Sequence, residues 1–202
     1  MKRVFKIGYG YDSHRFLKEE EKRLLEENAC IEEETEFYSR DKKLIVGGVV
    51  LEDKYQKKFG PFKARSDGDV LYHAVVNAIL SALGEKQARD IGRVFPNTDK
   101  INSNRNSADF LQRSVEMLQQ SDYELADLKI MYKGKPRVDW ENVEKNLLSF
   151  FQLQELLSDI HVQATSGEEM DGAGNGLGVE IFVVCLVQNK NLQKIFSSFG
   201  FV

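Results

Sequence analysis

Between Ser66 and Gly84 the chain reads Ser-Asp-Gly-Asp-Val-Leu-Tyr-His-Ala-Val-Val-Asn-Ala-Ile-Leu-Ser-Ala-Leu-Gly, and no other stretch narrows the fold as much. Apolar residues recur at helical spacing, so this is a helix with a buried face. Ser66 or Asp67 is placed to cap its N-terminus, Asp69 to sit at the positive end of its dipole, and Gly84 to end it in a left-handed conformation. A helix of this kind needs a second layer, and strand-like segments supply one. Strands are predicted over Arg3–Tyr11, Leu44–Leu51 around Gly47-Gly48, Leu125–Tyr132, Ile160–Thr165 and Val179–Val187, with further helices over Ser107–Gln120 and Glu141–Leu157. That alternation predicts an α/β (α+β) fold, a sheet covered by helices, and 202 residues suffice for one domain with a full core.

Residues 17–43 differ in kind. Leu-Lys-Glu-Glu-Glu-Lys-Arg-Leu-Leu-Glu-Glu is charge-dense with a single apolar stripe, which predicts a solvated helix or a mobile excursion outside the core. Across the chain, 28 basic and 32 acidic residues leave a formal charge of −4, too little field to hold a polyanion, so no nucleic acid partner is expected. No apolar run is long enough to span a bilayer, and the opening residues turn to Gly-Tyr-Gly-Tyr-Asp before a signal-like apolar region develops. The expectation is therefore no membrane partner and a cytoplasmic location. Cys30 and Cys185 cannot build a disulfide framework or a thiolate zinc site, in keeping with a reducing compartment.

The chemistry is concentrated in a few places. Asp12 and His14 stand two apart, and in an extended segment that spacing turns both side chains to one face. His73 lies one turn after Asp69 on the apolar helix, where either a hydrogen-bonded core histidine or a ligand would fit. His14 and His73 are two of three histidines in the chain, and one carboxylate with two imidazoles is a zinc set that leaves a fourth position open. Several turns suit phosphate. Ser66-Asp67-Gly68 opens a helix whose N–H groups can take an anion, with Arg65 just outside, while Thr165-Ser166-Gly167 ends a strand with two hydroxyls and Glu168 follows as a hard-cation ligand. The glycine-rich run Gly172–Gly178 lies between a strand end and another strand, so it is no dinucleotide fingerprint, and Lys133–Arg137 reads equally as a plain basic turn.

Taken together, Gly8–Phe16, Gly47-Gly48-Val49, Ser66–Ala74 and Asp90–Pro96 resemble the 2-C-methyl-D-erythritol 2,4-cyclodiphosphate synthase family of the non-mevalonate isoprenoid pathway, in order and spacing, as far as about Val187. The resemblance leaves residues 17–43 as an insertion and 188–202 as a C-terminal extension of a single domain, 1–202. It implies a homotrimer with active sites at subunit interfaces. It implies zinc on Asp12, His14 and His73, and a second divalent cation, magnesium or manganese, on Glu168 beside the phosphate-holding Thr165 and Ser166. The implied substrate is a cytidine diphosphate compound, 4-diphosphocytidyl-2-C-methyl-D-erythritol 2-phosphate, cyclised with loss of CMP by a phosphorus–oxygen lyase. Asp90 and Gly92 then match the ribose positions, Pro136, Arg137 and Val138 the cytosine loop, and Arg65, Ser66, Phe95 and Asn97 further substrate contacts.

The same resemblance exposes departures. Arg65 stands for a usual histidine, Asn77 and Asn97 for aspartates, Arg137 for a lysine, and Gly172 and Asn175 for bulky and basic residues. A guanidinium is larger and geometrically fixed, so Arg65 and Arg137 are not neutral replacements. If position 77 orients a ligand histidine, Asn77 weakens the metal site. Two rivals to the enzyme reading follow: a degenerate paralogue that binds a cytidine nucleotide or isoprenoid phosphate without turnover, favoured by the edited pocket, and a zinc hydrolase, disfavoured because no general base is evident.

Overall fold

A computed structural model describes residues 3–26, 42–64, 66–84, 91–96, 106–151 and 160–191. In chain order the first half forms β1 (Phe5–Arg15), α1 (Glu19–Glu26), β2 (Ile45–Val46), β3 (Val49–Val50), α2 (Asp53–Phe59) and α3 (Val70–Leu83). The second half forms α4 (Ile91–Val94), α5 (Ser107–Gln120), β4 (Tyr123–Gly134), α6 (Trp140–Phe151), β5 (Ile160–Thr165) and β6 (Gly178–Asn189). Four strands make one sheet in the order β1-β6-β4-β5, with β6 antiparallel to both neighbours and β5 parallel to β4. Strands β1, β4 and β5 therefore point the same way and end at the same edge of the sheet.

Period-two alternation sorts the sheet residues onto two faces. Val179, Ile181, Val183, Cys185 and Val187 of β6 and Leu125, Leu128, Ile130 and Tyr132 of β4 are buried in the core with α3 and α5. On β1 the inward positions are Gly8 and Gly10, because α3 crosses there at backbone contact. A Cβ on Gly10 would lie 1.9 Å from the Ala74 carbonyl oxygen, and one on Gly8 would lie 2.0 Å from that of Ala78. Among the described residues the opposite face is uncovered: Ile7 is 70% and Tyr9 75% exposed, and Tyr11 meets Phe182 at a tilt of 46°, with ring centroids 4.7 Å apart.

Helix α3 is buried on more than the one face its spacing marked, and it begins at Val70 and not at Ser66. Gly68 takes a left-handed φ of 84°, and Asp69 is the N-cap, its carboxylate accepting from the N–H groups of Leu71 and Tyr72. The same carboxylate accepts from Gly47 and Gly48, 2.9 and 2.6 Å away, so one fully buried side chain joins the helix to the β2–β3 hairpin. Burial pushes the Asp69 carboxyl upward, against these N–H donors and the helix dipole. Gly84 ends the helix in the left-handed conformation expected of it. The anion-binding N-terminus read from Ser66-Asp67-Gly68 is thus corrected, because the protein's own Asp69 occupies the N–H groups an anion would need.

Other boundaries differ for tertiary reasons. Strand β1 continues four residues past Tyr11, through Asp12 and His14, because β6 pairs with it as far as Arg15 opposite Gly178. Leu44–Leu51 resolves into a hairpin of two-residue strands about Gly47-Gly48, both at positive φ, as a tight hairpin turn demands. Helix α6 begins at Trp140 and is described to Phe151, and the rest of its expected span lies outside the described residues. The charged segment does contain a helix, α1, tied to the site-bearing strand by Glu21, which accepts from both terminal nitrogens of Arg15 at 2.7 and 2.6 Å and pairs with Lys63 at 3.3 Å. Residues 27–41 lie outside the described residues. Among those described, no helix is long and apolar enough to cross a membrane.

Candidate metal centre

Because α3 lies directly on β1, His73 arrives over Asp12 and His14 at the end of the strand. Asp12 Oδ2 lies 3.2 Å from His14 Nε2 and 3.1 Å from His73 Nδ1. The two imidazoles meet edge to face, ring centroids 5.5 Å apart. The three ligand atoms all fall within 4.8 Å of one another, and the side chains are half-buried. Burial pushes Asp12 up, but hydrogen bonds and charge from His14 and His73 outweigh it and hold the carboxyl well below its usual range. Burial likewise pushes His14 down, and the Asp12 hydrogen bond and charge, with the Gly68 carbonyl, more than reverse it.

The far nitrogens of both rings are also held. His14 Nδ1 lies 3.1 Å from the Gly68 carbonyl, which can only accept, so Nδ1 carries the hydrogen and Nε2 is left as the donor atom to a cation. His73 Nε2 lies 2.9 Å from Ser107 Oγ and 3.3 Å from Ser66 Oγ. One carboxylate oxygen and two oriented imidazole nitrogens converge here, a donor set that fits a divalent metal cation.

The remaining sequence-predicted residues are placed as follows. Ser66 is buried behind His73, its hydroxyl also accepting from the Gly68 N–H at 3.2 Å. Gly92 lies in α4, whose first N–H, on Ile91, donates to Asn77 Oδ1 at 2.9 Å. Phe95 is buried against Phe110, with the Arg113 guanidinium over its ring. Pro136 is buried and its carbonyl accepts from Tyr132 at 2.8 Å, Val138 packs on the core, and Arg137 is exposed. Arg65, Asp90 and Asn97 lie outside the described residues.

Asn77 does not orient a ligand histidine. Its amide nitrogen donates to the Tyr11 carbonyl at 3.2 Å while its oxygen takes the Ile91 N–H, a pair of bonds that an aspartate could not make at both ends. The weakening expected of the metal site from Asn77 therefore has no basis in these contacts.

Thr165, Ser166 and Glu168 are not brought to the histidines. Across the sheet Ser13 faces Glu180, Glu180 faces Lys133, and Lys133 faces Thr165, so the two groups stand three strand spacings, about 14 Å, apart. The turn itself is tightly built. Gly167, Glu168 and Glu169 all have positive φ, Thr165 Oγ1 accepts from the Gly167 N–H, and Ser166 Oγ donates to Glu168 at 3.2 Å. The glycine-rich run packs on it: a Cβ on Gly174 would lie 2.6 Å from the Gly167 carbonyl oxygen, and Asn175 donates to the carbonyls of Glu169 and Asp171.

Sequence reasoning passed over Asp67 and Ser107 as site residues, reading the first as a cap and the second as a helix start. The pair meets at the far side of His73, and no local pattern marks a contact between residues 40 apart. Comparison with known proteins bears directly on this arrangement. The YgbB family model matches residues 5–188, which include all three converging ligands and both turns. The chain belongs to the YgbB family. Among its relatives, the 2-C-methyl-D-erythritol 2,4-cyclodiphosphate synthase of Geobacillus sp. (strain WCH70) is 32% identical over 190 residues, covering 93% of this chain and all of that one. The apicoplast enzyme of the same name from Plasmodium falciparum is 30% identical over 190 residues, 92% of this chain and 73% of its own. This YgbB fold superposes on the Plasmodium falciparum IspF–CDP complex with a TM-score of 0.67 at 26% identity, over 95% of this chain and 100% of that one. The bifunctional IspDF of Campylobacter jejuni shares the fold, with a TM-score of 0.67 at 22% identity over 94% of this chain and 43% of that one.

Proposed function

We propose that this protein is a metal-dependent cyclodiphosphate synthase, converting 4-diphosphocytidyl-2-C-methyl-D-erythritol 2-phosphate to 2-C-methyl-D-erythritol 2,4-cyclodiphosphate and CMP. The observation that carries the reading is the convergence of Asp12, His14 and His73, within a chain whose relatives bear that enzyme's name. In the reaction an oxygen of the 2-phosphate attacks the β-phosphorus, the bond from that phosphorus to the bridging oxygen breaks, and CMP leaves with the electron pair. Zinc held by Asp12, His14 and His73, and a second divalent ion held by Glu168, would supply charge neutralisation and a template for phosphate oxygens. The chain's own part is positioning: Asp12, His14 and His73 would hold the metal, and the hydroxyls of Thr165 and Ser166 would hold phosphate oxygens of the diphosphate. Gly92, with Asp90, is assigned to the ribose, Phe95 to a further substrate contact and Pro136 to Val138 to the base.

One chain cannot bring both phosphate-holding groups to one diphosphate across about 14 Å of sheet. We therefore assign the Thr165 turn to the site of a neighbouring copy in a homotrimer. The uncovered sheet face, led by Ile7, Tyr9 and Phe182, supports this, since a contiguous exposed apolar face in a monomer marks an interface. The test is incubation of purified protein with the cytidyl substrate, following CMP and the cyclic product by phosphorus NMR. Cyclic product that disappears in His73→Ala supports the reading. Tight CDP binding with no product in the parent would replace the enzyme by a nucleotide-binding paralogue.

A further inference from the structure

Asp67 and Ser107 belong to none of the roles above, yet together they close the far side of His73. Ser107 is fully buried at the first turn of α5, and Asp67 grips it twice, taking its N–H at 3.1 Å on one oxygen and its hydroxyl on the other. The second oxygen also takes the N–H of Asp69 at 3.2 Å. A carboxylate serving three donors has no hydrogen to give, so the single hydrogen of Ser107 must point at Asp67. What Ser107 then turns to His73 Nε2, 2.9 Å away, is a lone pair.

We infer that Asp67 and Ser107 form a positioning relay which makes His73 Nε2 the hydrogen-bearing nitrogen and so reserves Nδ1 for the metal. The direction of each bond follows from the one before it: Asp67 accepts from Ser107, Ser107 accepts from His73, and His73 presents its free nitrogen toward Asp12. His14 is governed in the same way from the same segment, through the Gly68 carbonyl. Three consecutive residues, Asp67, Gly68 and Asp69, thus orient both ligand rings and cap the helix that carries one of them. The relay matters because a histidine in the wrong tautomer presents an N–H to the cation and loses its ligand atom altogether.

The inference rests on the zinc reading of Asp12, His14 and His73, and the test separates the two. Zinc affinity is measured by competition with a chelator for the parent, Ser107→Ala and Asp67→Asn, alongside thermal melts of the metal-free forms. Ser107→Ala keeps the N–H that Asp67 holds but removes the nearer acceptor, leaving His73 Nε2 only the Ser66 hydroxyl at 3.3 Å. Asp67→Asn sets an amide N–H₂ against one of the donors now bonded there, whichever way the amide is turned. Each is expected to weaken zinc about 10- to 100-fold while the metal-free protein stays folded. A second readout is the proton spectrum of the cobalt-loaded protein. The parent is expected to show two slowly exchanging imidazole N–H signals, from His14 and His73, and in Ser107→Ala the His73 signal is expected to exchange faster, because only the longer contact to the Ser66 hydroxyl remains. A parent that binds zinc, with unchanged affinity and both signals exchanging as slowly in the variants, overturns the relay and leaves the metal site standing. A parent with no zinc affinity overturns the metal site, and the relay with it.

Discussion

Replacing Gly10 with alanine tests how closely the metal centre depends on the packing of α3 against β1. The added Cβ would lie 1.9 Å from the Ala74 carbonyl oxygen and 2.6 Å from the Ala78 nitrogen, both of them backbone atoms of the helix. Neither can swing aside, so the helix must retreat from 1.9 to the 3.4 Å at which ordinary contact begins, a movement of about 1.5 Å. His73 adjoins Ala74 and moves with it, whereas metal–ligand bonds tolerate about 0.2 Å. Overpacking of this kind costs typically about 1–3 kcal/mol, and with backbone on both sides the upper end is expected, a fall of about 10 °C in melting temperature. Zinc affinity should fall by about 100-fold or more, as measured by chelator competition, with melts of metal-free protein run at equal chain concentration. Gly172→Ala is the control, since a Cβ there meets nothing within 4 Å and should change stability by no more than about 0.5 kcal/mol. A Gly10→Ala protein that melts and binds zinc like the parent would refute the backbone contact and the dependence of His73 on it.

Purified protein should carry close to one zinc per chain, and His73→Ala should lose most of it by elemental analysis, because two ligands do not close a stable site; full occupancy in the variant would reassign the ligands. Sedimentation should find a trimer, and Tyr9→Asp, which sets a charge in the middle of the open sheet face, should dissociate it, whereas a parent monomer that still makes cyclic product would end the shared-site proposal. Glu21 is held down to about 2 from 4.5 by the Arg15 guanidinium despite partial burial, with the Lys18 N–H and Lys63 adding to it. A lowered carboxyl pKa means a contribution complete above about pH 4.5 and lost as pH falls toward 2. Arg15 is 38% exposed, so water screens the pair and the contribution is about 1 kcal/mol. Urea midpoints should accordingly show Glu21→Gln less stable than the parent at pH 7 and equal to it near pH 2, and an equal gap at both values would contradict the assignment.

The elements themselves were legible in the sequence because their signals are local. Apolar spacing and Gly84 set out α3, the Ser107–Gln120 periodicity matches α5 residue for residue, and Ile160–Thr165 is β5 as read. Scarcity of histidine and the order of short motifs mark Asp12, His14 and His73 in the sequence alone. What the tertiary structure decided are the contacts that join distant segments. Asp69 displaced Ser66 and Asp67 as the helix cap, because a left-handed Gly68 turns it inward to reach both the helix and the β2–β3 hairpin. Asn77 proved to tie β1 to α4 and not to steady a ligand. Thr165 proved to lie three strands from the histidines because β6, the last strand, enters the sheet between β1 and β4. His73 meets Asp12 across 61 residues because α3 can settle onto glycines at Gly8 and Gly10, and it meets Ser107 across 34 because α5 packs against α3. Periodicity and capping act within a few residues along the chain and so leave a trace in its sequence, whereas the hydrogen-bond partner of a buried imidazole is set by which surfaces pack, a property of the whole fold.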